Sequence, residues 1–209
     1  MFTGLVEAVG KVSELRSDAG GIRIRIRTDL VSQLAAGDSL AVNGVCLTVT
    51  AAKGGDVHAD IGPETARVTT LGSLRQEQLV NLERPMRAAG LFGGHFVQGH
   101  VDGTGTVHEV RADGDAHWLT IAFERSLSPY FIRKGSVAVE GVSLTVASLG
   151  DSVFDVMIIP FTWANTSLSS LQAGDRVNIE CDMIGKYVAR AVALRGDADL
   201  KVRSYEVEK

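Results

Sequence analysis

The segment Ile22-Arg23-Ile24-Arg25-Ile26-Arg27 alternates apolar and charged residues without a break, which is the period-2 pattern of a strand with one buried face. Shorter stretches of strand-like character run from Val9 to Leu15, Ser39 to Val42, Cys46 to Ala51, Asp56 to Ile61 and Val80 to Glu83. Turn residues separate them, so the first half of the chain is expected to hold about six strands. A short helix is expected near Asp29 to Ala36, with a counterpart near Ser126 to Arg133. Six short antiparallel strands leave exposed edges unless the sheet closes on itself, which favours a small barrel. The end of the chain breaks this pattern. Met183, Ile184, Tyr187, Val188, Ala191 and Leu194 recur at spacings of three and four, the habit of an amphipathic helix. Its apolar face needs cover, either from the chain's own barrels or from equivalent helices of other subunits in a homo-oligomer.

The pattern occurs twice. Asp38 to Val49 (DSLAVNGVCLTV) aligns with Gly135 to Val146 (GSVAVEGVSLTV) at an offset of 97, as do Pro63-Glu64-Thr65 with Pro160-Phe161-Thr162 and Val80-Asn81-Leu82-Glu83 with Val177-Asn178-Ile179-Glu180. At the front the offset is 95, where Gly4-Leu5-Val6-Glu7 meets Gly99-His100-Val101-Asp102, so a two-residue indel lies between. A fixed period is the mark of duplicated architecture. The expected fold is therefore all-β: tandem duplicated six-stranded antiparallel β-barrels plus a C-terminal amphipathic helix. The expected division is residues 1–94 for the first barrel, 95–182 for the second and 183–209 for the helix and tail.

Composition narrows the function classes. Of 209 residues, 45% are hydrophobic and 22% charged, and the net charge is -4 with no block of one sign, which argues against nucleic-acid or anionic-membrane partners. The start of the chain lacks the basic region and apolar run of a secretory signal. Two cysteines, Cys46 and Cys181, are far apart and in no CxxC pair, so a reducing, cytoplasmic setting is expected. Dinucleotide, P-loop, zinc-protease and serine-hydrolase motifs are all missing.

The doubled GV(C/S)LTV block carries the chemistry. Residues two apart on a strand share a face, so Cys46 and Thr48 point one way and Leu47 the other. Ser143 and Thr145 share a face likewise, with Leu144 opposed. Leu47 and Leu144 are expected inside the barrels. Singly, Cys46, Thr48, Ser143 and Thr145 are ordinary solvated strand residues; a small polar pair kept twice beside a glycine points to ligand contact. The PET and PFT blocks sit at turns where Thr65 and Thr162 are positioned to cap short helices. His100 stands where the first unit has Leu5 and titrates near neutrality when unperturbed, making it an acid-base candidate. His95 lies five residues away and reads as structural; on a regular strand the two would face opposite sides. His58, His108 and His117 read as surface residues.

Together, Met1-Phe2-Thr3-Gly4, the doubled LTV block, the PET-type turn and the run GGHFVQGHVDGTGTV resemble the riboflavin synthase family of the α-chain type, over nearly the whole chain. The resemblance implies dismutation of two molecules of 6,7-dimethyl-8-ribityllumazine, with no metal or redox cofactor, by a homotrimer held through its C-terminal helices; it also admits lumazine synthase as a partner. Gly4, Leu5, Val6, Cys46, Leu47, Thr48, Asp60, Ile61, Gly62, Pro63, Glu64 and Thr65 match the family's N-terminal pocket. Gly99, His100, Val101, Lys134, Ser143, Leu144, Thr145, Met157, Ile158, Ile159, Pro160, Phe161 and Thr162 match its C-terminal one. Cys46, His100 and Ser143 are expected to assist proton transfer and addition, with Phe2 and Thr145 positioning. The chain departs from the family at Pro160-Phe161-Thr162-Trp163, where Glu or His and then Thr-Leu usually follow the proline. A non-catalytic chromophore binder of the same fold is the rival reading; the retention of both polar pairs favours the enzyme.

Overall fold

The computed structural model describes residues 1–18 and 20–202; the expected tail at 203–209 lies outside them. In the first unit, β1 (Ala8–Asp18), β2 (Gly21–Arg27), β3 (Ser39–Val42), β4 (Val45–Lys53), β5 (Asp56–Ile61) and β6 (Leu79–Glu83) close into a barrel in the order β1-β2-β5-β4-β3-β6. In the second, β7 (Gly103–Asp113), β8 (Ala116–Ala122), β9 (Ser136–Val139), β10 (Val142–Leu149), β11 (Val153–Ile158) and β12 (Arg176–Cys181) close as β10-β11-β8-β7-β12-β9. Closure leaves neither sheet with a free edge.

The alternation in β2 does what the sequence predicts. Ile24 and Ile26 are buried, while Arg25 pairs with Glu14 and Arg27 with Asp56 on the outer face. Leu47 and Leu144 lie in the two separate barrel cores. Each barrel bends at β-bulges placed alike in the two units: Val12/Glu14 and Val107/Glu109, then Val49/Ala51 and Val146/Ser148. A bulge bends and twists its strand locally, which helps sheets this small to close. The change of offset falls between the second and third strands of each unit. There a 3₁₀ turn at Asp29–Gln33 answers a longer one at Arg125–Tyr130; these replace the longer helices expected at both places.

Two short helices follow β5 and β11: α1 (Pro63–Val68) and α2 (Pro160–Ala164). Proline opens each, suiting a first helical position whose N–H has no partner. Thr65 and Thr162 do not cap them. Gly62 and Ile159 occupy the cap positions without side-chain bonds, and the two threonine carbonyls instead accept from the Thr69 and Thr166 hydroxyls.

The barrels meet about a near two-fold relation. Asn81 Nδ2 donates to Glu140 O and Asn178 Nδ2 to Asn43 O, both at 2.9 Å. Asn81 Oδ1 accepts from Ser167 N, and Asn178 Oδ1 from Thr70 N. Gly44 and Gly141 face each other so closely that a Cβ on either would lie within 2.7 Å of the other's nitrogen. The matching position pairs Asn43 with Glu140, and this is where the symmetry fails. Glu140 is fully buried, and burial pushes its carboxyl up to about 8 despite bonds from Asn178 N and Thr70 Oγ1.

The terminal helix α3 (Met183–Val202) starts with Asp182 Oδ1 accepting from Ile184 N. Ile184, Tyr187, Val188, Val192 and Leu194 are all at least half exposed, so the chain's own barrels leave these five largely uncovered. No helix among the described residues is long and apolar enough to cross a membrane.

Candidate functional site

The segment preceding each barrel crosses to the other barrel. Thr3 and Gly4 are first gripped by Glu83 at the end of β6, whose carboxylate accepts from Thr3 N at 2.6 Å, Thr3 Oγ1 at 2.8 Å and Gly4 N at 2.9 Å. The Gly4 carbonyl then accepts from Ser143 N on β10 of the second barrel at 2.8 Å. Its equivalent behaves in the same way. Glu180 on β12 accepts from Gln98 N and Gly99 N, and Gly99 O accepts from Cys46 N on β4 of the first barrel at 2.9 Å. Val6 consequently packs on the core of the second barrel and Val101 on that of the first. Gly4 and Gly99 sit at φ +76 and +80, and a Cβ on either would come within 2.7 Å of the Ser143 or Cys46 Cβ. Only glycine combines that conformation with that approach. Burial pushes Glu180 up to about 7 and raises Glu83 as well, against the pull of the backbone N–H groups each accepts from.

The crossing sets Gly4 beside Ser143 and Val6 on the core of the second barrel, and Gly99 beside Cys46 and Val101 on the core of the first, instead of leaving each segment on the barrel it precedes. The self-similarity shows which segments are equivalent, but not that they exchange places.

On the strands, the polar pairs point outward as expected. Cys46 and Ser143 are half-buried, Thr48 and Thr145 exposed, and Leu47 and Leu144 buried behind them. The two units then diverge. Ser143 Oγ lies 2.7 Å from Nδ1 of His95, which is itself buried. Burial disfavours the imidazolium and lowers the His95 pKa, with the charge of Asp182 partly offsetting it. Nε2 of the same ring is buried without a partner. His95 therefore holds the contact with Ser143, whereas His100 is exposed and makes no such bond. His95 escapes sequence reasoning because its place in the first unit would precede Met1. The signal available was its position just before Phe96-Val97-Gln98-Gly99, the counterpart of Met1-Phe2-Thr3-Gly4. The regular strand that would set the two histidines on opposite faces is absent; only an isolated bridge from Phe2 to Val97 occurs there.

Phe2 is fully buried among Ala41, Val97 and Ala138, with Cys46 packed against the cluster. It can position the crossing segment but is covered from any ligand. Asp60 is exposed and ion-pairs with Arg23 at 4.0 Å; together with Thr50, Arg25 and His58 the two line a groove of about 330 Å³. Ile61 and Ile158 point into the cores, leaving Gly62, Pro63, Glu64 and Thr65, and likewise Met157, Ile159, Pro160, Phe161 and Thr162, around the rims. Glu64 is tied to Arg67 at 2.6 Å. Lys134 holds φ +69 where the first unit has Gly37, and its N–H donates to Val146 O at 2.8 Å. A non-glycine residue in that conformation is uncommon. His117 is not a free surface residue: its ring stacks on Trp163 with centroids 3.9 Å apart and planes 5° from parallel. His58 is half-buried, and His108 is exposed as expected.

Residues 3–85 and 98–182 match the family model of the lumazine binding domain, so the two barrels form a tandem pair of that class. The riboflavin synthase of Actinobacillus pleuropneumoniae is 43% identical over 189 residues, covering 90% of this chain and 88% of that protein. That of Bacillus subtilis (strain 168) is 40% identical over 191 residues, covering 91% and 89%. The structure of LumP complexed with riboflavin is similar at a TM-score of 0.82 and 25% identity, over 87% of this chain and 99% of that one. With such identity over most of both lengths, the chain belongs to the riboflavin synthase family.

Proposed function

We propose that this chain is a riboflavin synthase, a transferase that moves a four-carbon unit between two molecules of 6,7-dimethyl-8-ribityllumazine. The products are riboflavin and 5-amino-6-(D-ribitylamino)uracil, at the last step of riboflavin biosynthesis. The observation that carries this reading is the doubled crossing: each polar strand, β4 or β10, is completed by the glycine segment that precedes the other barrel. Two related half-sites from one repeated motif suit a reaction between two identical molecules.

The substrate supplies much of the chemistry, since its ring delocalises the carbanion left at the 7-methyl group, and no metal or redox cofactor is needed. Orienting two reactants contributes about 7–11 kcal/mol, against about 10²–10⁴-fold for one acid-base group. Positioning is accordingly the larger share. Backbone groups beside Gly4 to Val6 and Gly99 to Val101 would bind the ring edge. Thr48, Thr145 and Lys134 would reach the ribityl chain, and Ile159 and Phe161 the ring face. In the second half-site, a neutral His95 can draw the proton from Ser143 Oγ, freeing that oxygen to take one from the 7-methyl group. Cys46 stands at the matching place without a histidine, which makes the half-sites chemically unequal. His100, exposed where the first unit's segment has Leu5, would act on the ring from the first half-site.

The uncovered apolar residues of α3 support a homotrimer in which this helix is buried, and the two free cysteines support a reducing, cytoplasmic setting. Incubating the purified chain with lumazine alone tests the proposal. One riboflavin and one pyrimidinedione should appear for each two lumazines consumed; saturable binding without riboflavin would leave a chromophore carrier instead.

A further inference from the structure

The stack of His117 on Trp163 has an aliphatic counterpart in the other barrel. Ile22 and His117 are equivalent: each lies in the second strand of its unit, opposite Ile61 and Ile158 respectively. Ala66 and Trp163 are equivalent too, each three residues after the proline that opens α1 or α2. Ile22 and Ala66 pack against the core of the first barrel. The second barrel replaces these two aliphatic side chains with two rings in parallel contact and leaves His117 Nδ1 buried without a hydrogen-bond partner. A buried polar atom without a partner is unfavourable, and the first unit shows that an apolar pair fills the same place. The ring pair therefore does something the aliphatic pair does not.

Its position indicates what that is. Trp163 N donates to Ile159 O at 3.0 Å, so the indole hangs from the turn that begins at the rim. Phe161, on that turn, is 73% exposed. We infer that His117 and Trp163 are positioning residues for the second half-site: the stack fixes α2 against β8 and so sets where Ile159 to Thr162 meet a bound heterocycle. This inference rests on the lumazine-binding reading of that half-site. It also makes the two half-sites unequal in shape, in addition to the inequality that His95 gives them in proton transfer.

The test measures riboflavin and lumazine binding to the intact protein by fluorescence, resolving two classes of site per chain, alongside the rate of riboflavin formation. Trp163→Ala and His117→Ile should each weaken one class about tenfold or more and leave the other within about twofold. Trp163→Phe, which keeps a ring on His117, should bind as the parent does. The double variant His117→Ile/Trp163→Ala installs the first unit's pair and should restore packing, as a melting temperature near the parent's, without recovering the lost affinity. In a Trp118→Phe background, Trp163 is the one remaining tryptophan, and its emission should change as the affected class fills. Unchanged two-site binding in both single variants overturns the inference. So does a fall in melting temperature that the double variant restores while every affinity stays constant, because the stack would then be structural only. Failure of the parent protein to bind lumazine at all would instead refute the function proposed above, a result distinct from either.

Discussion

Glu140 offers a measurement of what the asymmetry at the barrel junction costs. It occupies the place that Asn43 fills in the first unit, fully buried, with Asn178 N donating to its Oε1 at 2.6 Å. Burial moves the carboxyl from 4.5 up to about 8. Between those values the folded protein carries a proton that the unfolded chain has released, so stability falls as pH climbs through that window. At about 1.4 kcal/mol for each pH unit, keeping the group protonated at pH 7 costs the fold about 3 kcal/mol. Glu140→Gln retains an acceptor for Asn178 N and removes the titration. Urea unfolding at pH 5, 7 and 9, at one protein concentration because assembly adds to stability, should show the variant gaining on the parent as pH rises. The gain between pH 5 and 7 should be about 2–3 kcal/mol. Glu83 and Glu180 titrate in both proteins, so the difference isolates Glu140. A constant difference across the three pH values would refute the reasoning.

Replacing His95 with Gln should lower turnover about 10²–10³-fold, within the range for one acid-base group. Because burial lowers its pKa, the parent's rate should fall on the acid side of the ordinary histidine value, and that limb should vanish in the variant. Ser143→Ala combined with His95→Gln should be little worse than either alone, since the two act as one unit; multiplying losses in steady-state assays would contradict the pairing. Gly99→Ala should weaken lumazine binding in the half-site containing Cys46 at least tenfold, because the added methyl meets the Cys46 Cβ at 2.6 Å. Binding titrations should show the other half-site retained; equal weakening of both would show that the crossing segments do not serve separate pockets.

Strands and faces were legible because they follow from local periodicity. The Ile-Arg alternation of β2, the opposed Leu47 and Leu144, and the repeated offset predicted both barrels before any coordinates. Crossing was not legible. The bonds from Ser143 N to Gly4 O and from Cys46 N to Gly99 O link residues far apart in sequence, and the repeat is equally compatible with segments that stay on their own barrel. Duplication also hid what occurs once. His95 has no counterpart, so the repeat does not single it out, while His100 stands out by aligning with Leu5. His117 looked superficial because its cover, Trp163, comes from a helix that period-2 reasoning does not reveal.

The reciprocal crossing bears on how the polypeptide matures. When the first barrel leaves the ribosome, the amide of Cys46 still lacks the carbonyl of Gly99, and the Gly4 carbonyl, though its segment is already held by Glu83, lacks the amide of Ser143. Each barrel closes on its own core, but neither half makes its crossing contact alone, and long-separated pairings of this kind are slow to form. Synthesis from the front end therefore yields a first barrel whose β4 edge at Cys46 stays incomplete until Gly99 has been made. The same interdependence means that two fragments cut between the barrels should regain these crossing contacts only when mixed.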